Sequence, residues 1–176
     1  MHYLQYLQLL SRNPNIDKQT YQQFVDFINS TDKLSRDTNI PYHLCSFFVP
    51  YDPVKKSIFM GHHIKSDSWI PPGGHIDEGD TPLETVIREY EEELGVKLID
   101  ETIELFDLSI IDINKPQSTC KRHYDIWHLV HTTEQNYGYD KGEFLEAKWI
   151  PLDDAPAKMR VPEFQEVIER LKSHMH

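Results

Sequence analysis

No stretch of this chain approaches the ~18 consecutive apolar residues that a membrane-spanning helix needs. The opening MHYLQYLQLL has neither a basic start nor a small-residue cleavage site, so it does not read as a signal peptide. Cysteine is nearly missing: Cys45 and Cys120 stand far apart and form no CxxC pair, which argues against a zinc ribbon or a disulfide framework. Two reduced thiols in a cytoplasmic protein are expected. Positive charge is also short, with 18 Lys and Arg against 29 Asp and Glu and a net charge of −11. A surface of that sign argues against binding nucleic acid polymers or anionic membranes. It does not exclude a phosphorylated small molecule, because a bound divalent cation reverses the sign locally. No internal repeat, low-complexity tract or interdomain linker interrupts the chain.

What is present is the composition of one ordinary globular domain, 176 residues with 39% hydrophobic side chains. Residues 1–30 read as helical. After a break at Asn13–Pro14–Asn15, Tyr21, Phe24, Val25 and Ile28 recur at helical spacing, with Asp17 as the N-cap. This segment is expected to pack on the main body or on a second subunit. YHLCSFFVPY and SIFMGHHI then read as strands, and KSDSWIPPGGHIDEGD as a loop. TPLETVIREYEEELGV is a helix with Thr81 and Glu84 as a capping box, Pro82 at its first position and Gly95 as its C-terminal cap. Its expected apolar face is Leu83, Ile87, Tyr90 and Leu94. ELFDLSIIDI, HYDIWHLVH and LEAKWIPL follow as strands, and VPEFQEVIERLKSHM closes the chain as an amphipathic helix.

The helix is unusually acidic. At roughly 100° per residue, Glu89, Glu92 and Glu93 fall on one arc beside the apolar face, while Glu84 and Glu91 point elsewhere. Such a triad suits oxygen ligation of Mg²⁺ or Mn²⁺, although a solvated acidic face has the same look. Gly73–Gly74 just ahead would let backbone carbonyls approach an ion.

GHIDEGDTPLETVIREYEEELGV, residues 74–96, resembles the Nudix box: a glycine, five residues, a glutamate, seven residues, then REUxEExGU with U a bulky aliphatic. Gly74, Arg88, Glu89, Glu92, Glu93, Gly95 and Val96 are in register; Asp80 replaces the first glutamate and Tyr90 the first aliphatic. The resemblance implies an α/β fold, the Nudix α/β/α sandwich with a mixed sheet, over residues 37–176, preceded by an N-terminal helical extension at 1–36. It implies a Mg²⁺-dependent (or Mn²⁺-dependent) pyrophosphohydrolase acting on a nucleoside diphosphate linked to another group. Glu89, Glu92 and Glu93 would bind the metal with the Gly73 carbonyl, and Glu89 could also handle the attacking water. Arg88 would hold the glutamates in place, and Asp80 would pair with Arg88 or cap the helix. A further acid from a late loop would be Glu143, ahead of Glu146.

HHIKSDSWIPPGGH and KRHYDIWHLV resemble one bacterial-type subset of the family, one that brings no assigned activity with it. They place His62, Lys65, Trp69 and His123 as substrate-binding candidates, with His63, His75, Arg122 and Asp125 also able to face a cleft. The proline that many ADP-ribose hydrolases carry about fifteen residues past the box is missing near Ile110. The tyrosine of dinucleoside polyphosphate hydrolases and the SQPWPFPxS array of NADH hydrolases are missing too. A non-catalytic nucleotide-binding module of the same fold is the alternative. Less favoured is an enzyme like isopentenyl-diphosphate isomerase using Cys45. The expected partner is a small nucleoside diphosphate derivative, with no nucleic acid polymer and no membrane; a homodimer is compatible with the sequence.

Overall fold

The computed structural model describes residues 3–13, 16–98, 102–133 and 135–175. The N-terminal segment forms α1 (Tyr3–Gln8) and α2 (Lys18–Ser30), joined through a 3₁₀ turn at Leu10–Arg12. Asp17 caps α2, its carboxylate accepting from the Thr20 amide at 2.7 Å. Pro14 and Asn15 of the expected break lie outside the described residues. The strands are β1 (Tyr42–Asp52), β2 (Ser57–His63), β3 (Ser68–Ile70), β4 (Gly73–His75), β5 (Thr102–Asp112), β6 (Arg122–His131) and β7 (Phe144–Pro151). The remaining helices are α3 (Pro82–Leu94) and α4 (Pro162–Met175). No described helix is long and apolar enough to cross a membrane.

The sheet is mixed. β1 runs parallel to β6 with His43 opposite His123 and Cys45 opposite Asp125, and β5 is antiparallel to β6. On its other side β1 carries β4, Cys45 facing His75 and Phe47 facing Gly73, then β2 near Tyr51. β2 in turn pairs with β3 and β7. Two short strands therefore lie inside the segment expected to be all loop. They are only three residues each, too short for alternation to reveal them.

Successive side chains of β1 leave opposite faces of the sheet. Phe47 and Val49, with Trp127 and Leu129 of β6, meet Phe164, Val167, Ile168 and Leu171 of α4. On the other face, Phe48 and Val130 meet Val86, Tyr90 and Leu94 of α3. Leu44, Tyr124 and Ile126 on that same face meet Tyr6, Leu7, Phe24, Phe27 and Ile28 of α1 and α2. The result is an α/β/α sandwich in which the N-terminal helices and α3 form one outer layer. Each such side chain, fully buried, stabilises the fold by ~1.5–3 kcal/mol.

The inward face of α3 differs from the expected one. Val86, Tyr90 and Leu94 are buried with Thr85 and Glu93, while Leu83 is only partly covered and Ile87 is 46% exposed. One residue of phase, about 100°, separates Val86 from Ile87. The buried side is the one that brings Glu93 inward. Tyr90, in an aliphatic position of the box, keeps its ring in this core and bonds its hydroxyl to that of Tyr137.

Phe24 is fully buried and meets Tyr124 of β6 edge-on at 5.3 Å. Phe24→Ala is expected to destabilise the whole chain by about 3–5 kcal/mol, read as one shifted urea transition. A transition that stays in place, with only a minor early phase lost, would show the helices to be an independent appendage.

Candidate active site

The geometry of the site begins with the ends of α3. The Thr81 side chain accepts from the Glu84 amide and Glu84 returns a bond to the Thr81 amide at 2.8 Å. Gly95 takes a left-handed conformation (φ 70°) and closes the C-terminus on the Glu91 carbonyl. A helix capped at both ends has a fixed start, length and phase, so the carboxylates on it have fixed directions.

β4 lies under them. The Gly73 amide donates to Glu93 Oε2 at 2.7 Å, so Gly73 enters the site through its N–H. A Cβ on Gly74 would fall 2.4 Å from Glu89 Oε1, and one on Gly73 (φ 140°) 2.5 Å from the Ser46 carbonyl. The glycine pair therefore makes room for the Glu89 carboxylate on one side and for β1 on the other.

Glu93 is 5% exposed. Burial above all, with the neighbouring charges of Glu89, Glu143 and Asp140, pushes its carboxyl up to about 9 against the opposing Gly73 amide. Glu89 is also raised by burial, with Arg88 opposing. Arg88 holds the outer side: its Nη1 donates to Glu89 at 2.9 Å and to Glu92 at 3.2 Å, and its Nη2 to the His75 carbonyl at 3.2 Å. Asp77 and Asp80 complete the cage at 3.5 and 3.7 Å. Asp80, one methylene shorter than the family's glutamate, thus still pairs with the arginine.

Glu89, Glu93 and Glu143 line a cleft of about 840 Å³, with Arg88, His63 and Lys65 among the other walls. That lies within the size range of small-molecule sites. Glu143 is 3.4 Å from His63 Nε2 and 3.7 Å from Lys65 Nζ. Glu146 is turned away and pairs with Lys148. Glu92, its side chain 58% exposed, stays outside the lining and is tied in through Arg88.

Two of the expected substrate-binding residues stand apart from the cleft. His62 and Trp69 are cross-strand partners that stack on each other at 5.7 Å, with Lys148 over the indole, and neither lines the cleft. His63, next along β2, faces the cleft instead. A register shift between Gly61 and His63 breaks the alternation there, which is why sequence spacing alone did not favour it.

His123 and His75 do line the cleft. Arg122 is spent on Asp112 of β5, and Asp125 lies buried behind the cleft, accepting from Ser109 at 3.0 Å. Cys45 also reaches the cleft wall, but burial holds its thiol well above the usual range. A thiol held protonated is a poor nucleophile, which counts against the isomerase reading.

A profile of the NUDIX domain matches residues 42–171, and the chain belongs to that family. Among curated relatives, it is 24% identical over 161 residues to an RNA pyrophosphohydrolase of Rhodopseudomonas palustris, covering 78% of this chain and 90% of that one. It is 32% identical over 91 residues to the mouse asymmetrical bis(5'-nucleosyl)-tetraphosphatase, covering 49% of this chain and 58% of the relative. Its fold is that of the E. coli dihydroneopterin triphosphate pyrophosphohydrolase, with a TM-score of 0.66, 19% identity, and coverage of 74% and 95%.

The raised carboxyl of Glu93 has a consequence for stability. Its folded pKa lies above its unfolded one, so its contribution is fully present below about pH 4.5 and is lost as pH rises toward about 9. Glu93→Gln removes that loss and is expected to stabilise the chelator-treated protein at pH 8 by on the order of 1–3 kcal/mol. At pH 4.5 little change is expected. Thermal melts at the two pH values check this; equal effects at both would refute it.

Proposed function

We propose that this chain is a Mg²⁺-dependent (or Mn²⁺-dependent) hydrolase of a diphosphate bond in a small nucleoside diphosphate derivative. The observation that carries the reading is the pair Glu89, half-buried, and Glu93, buried, lining one cleft with Glu143 close enough to raise both. Carboxylates gathered in this way against a glycine surface fit a hard divalent cation, which offsets their mutual repulsion. Glu89 and Glu93 would hold it from the cleft side, Glu92 from the rim and Gly73 through its carbonyl oxygen, its N–H being engaged by Glu93. When bound, the ion supplies charge neutralisation for the diphosphate and acidifies coordinated water.

The rest is the work of the chain's own side chains. Arg88 keeps Glu89 and Glu92 in one orientation, which is a positioning role. Glu143, on the loop ahead of β7, would accept a proton from the attacking water, a reading supported by its place in the cleft beside His63 and Lys65. Lys65, well exposed at the rim, also offers its ammonium to phosphate oxygens. His123 stays in the substrate proposal as a cleft residue, while His62 and Trp69 leave it. The three relatives above are named for different substrates, so their names do not choose the leaving group for this chain.

The test is a substrate panel with Mg²⁺ or Mn²⁺: nucleoside diphosphate sugars, dinucleoside polyphosphates, a pteridine triphosphate and a 5'-triphosphorylated RNA oligonucleotide. Phosphate products should appear for a small nucleotide and vanish with chelator. Glu92→Gln and Glu93→Gln should each lower kcat by ~10²–10⁴-fold with the fold intact. Full activity in both variants would overturn the roles, and binding without turnover across the panel would favour a non-catalytic module.

Gly74→Ala tests the geometry separately. Its methyl group would displace Glu89, so kcat should fall about 100-fold while the circular dichroism spectrum stays unchanged. An active Gly74→Ala enzyme would show that the close approach of Glu89 to β4 is not needed.

A further inference from the structure

Three imidazoles and a thiol meet at one end of the cleft, and of the four only His123 stands in the substrate proposal above, a role that ligation of a metal would replace. They are His43 of β1, His75 of β4, His123 of β6 and Cys120 from the segment just before β6. One donor atom from each lies within 4.8 Å of all the others. Strand pairing brings them together: His43 is opposite His123, and His75 is opposite Cys45, two residues from His43 and on the same face. Cys120 is fixed beside them because the Lys121 and Arg122 amides both donate to the Pro41 carbonyl, at 2.8 and 2.9 Å.

The orientation of His43 is informative. Its Nδ1 is 3.0 Å from the Asn39 carbonyl. A carbonyl only accepts, so Nδ1 carries the proton and Nε2 presents a lone pair. His43 is fully buried, and its Nε2 has no hydrogen-bond partner among the described residues; the same holds for Nε2 of His75 and His123. A backbone carbonyl on one ring nitrogen with the other left open is the arrangement that orients a metal-ligating histidine. Buried polar atoms normally find partners, and here three in one cluster do not.

We propose that His43, His75, His123 and Cys120 form a tetrahedral site for a borderline-soft transition metal of the zinc class, distinct from the carboxylate site on α3. Ideal Zn–N and Zn–S bonds place tetrahedral donor atoms about 3.3–3.8 Å apart, so a contraction of roughly 1 Å from the present spacing closes the shell. Three nitrogens and one sulfur select against Mg²⁺, which prefers oxygen. With four protein ligands the site is closed, which makes it structural. It would fasten β4, which carries Gly73 and Gly74, to β1, β6 and the Cys120 segment.

Cobalt reports the site without relying on turnover. The chelator-treated full chain is titrated with Co²⁺. The expected result is the intense visible spectrum of four-coordinate cobalt with a thiolate charge-transfer band, displaced by one equivalent of Zn²⁺. Zinc should also raise the thermal midpoint by about 5 °C or more. Cys120→Ser should lose the charge-transfer band and bind at least ~100-fold more weakly, as should His123→Ala. Glu93→Gln should keep the band, which separates this site from the carboxylates. A pale six-coordinate spectrum with no charge-transfer band in the wild-type chain, or an unchanged band in Cys120→Ser, would overturn the proposal, and the wild-type spectrum decides even if a variant fails to fold.

Discussion

The withdrawal of two carboxylates, Glu89 and above all Glu93, from water at one cleft organises the site more than any other constraint. The two carboxylates stand one turn apart on the same side of α3 and share one cleft. Burial raises both carboxyls first; the charge of Glu89 adds to the shift of Glu93, and those of Glu92 and Glu143 to that of Glu89. The surrounding structure distributes the cost. Arg88 takes Glu89 and Glu92 from the outside, the Gly73 amide takes Glu93 from below, and the bare Gly74 surface admits Glu89. Capping at both ends of α3 keeps the carboxylates aligned with those partners. Capping stabilises α3 in its own right, and together with the arginine, the amide and the glycine pair it seats the two acids at the cleft.

Much of this was legible in the sequence because its signals are local. The capping box, Pro82, Gly95 and the i, i+3, i+4 glutamates of α3 lie within one helical segment, where spacing alone predicts geometry. The longer strands carried enough apolar length to be seen. Phase was less secure: with Leu83, Val86, Ile87, Tyr90 and Leu94 all apolar, the sequence allowed two adjacent inward faces. The sheet chose the one that buries Val86 and Glu93. His62 and His63 pose the same problem on a strand, where one residue decides the side and a register shift at Gly61 hides which. Glu143 could be ranked above Glu146 from its place before the strand, but its pairing with His63 depends on a contact across the fold.

The imidazole cluster was the least legible feature, for a topological reason. Its members come from three separate stretches of chain, Cys120 and His123 sharing one, and only the pairing of β1 with both β4 and β6 brings them together. His75 and His123 stood out in the sequence as cleft candidates; His43 and Cys120 carried no local signal. The absence of a CxxC pair rules out a ribbon but says nothing about ligands gathered by a sheet. The two donor sets also differ in kind. α3 and the loop before β7 offer oxygens, while the sheet end offers nitrogen and sulfur, and hard and borderline-soft cations partition between such sets by ligand type. β4 touches both, Gly74 abutting Glu89 and His75 reaching the cluster, so a displacement of this three-residue strand would disturb both together.

The N-terminal helices belong to this same argument. The matched family domain begins at residue 42, yet a buried hydrogen-bonded path starts ahead of it. Tyr6 of α1 meets His128 Nε2 at 2.5 Å, His128 Nδ1 lies 3.3 Å from the Ser46 hydroxyl, and Ser46 donates to the Pro82 carbonyl at 2.9 Å. Ser46 is the β1 partner of Gly74, and Pro82 is the first residue of α3. Tyr3 adds a bond to the Asp80 carbonyl at 2.7 Å, on the loop whose carboxylate faces Arg88. Residues that precede the matched domain thus hold the glycine strand, the start of the acidic helix and the loop between them. The extension fills the outer layer beside α3 and, through these bonds, is tied to β1, to the loop carrying Asp80 and to the start of the acidic helix.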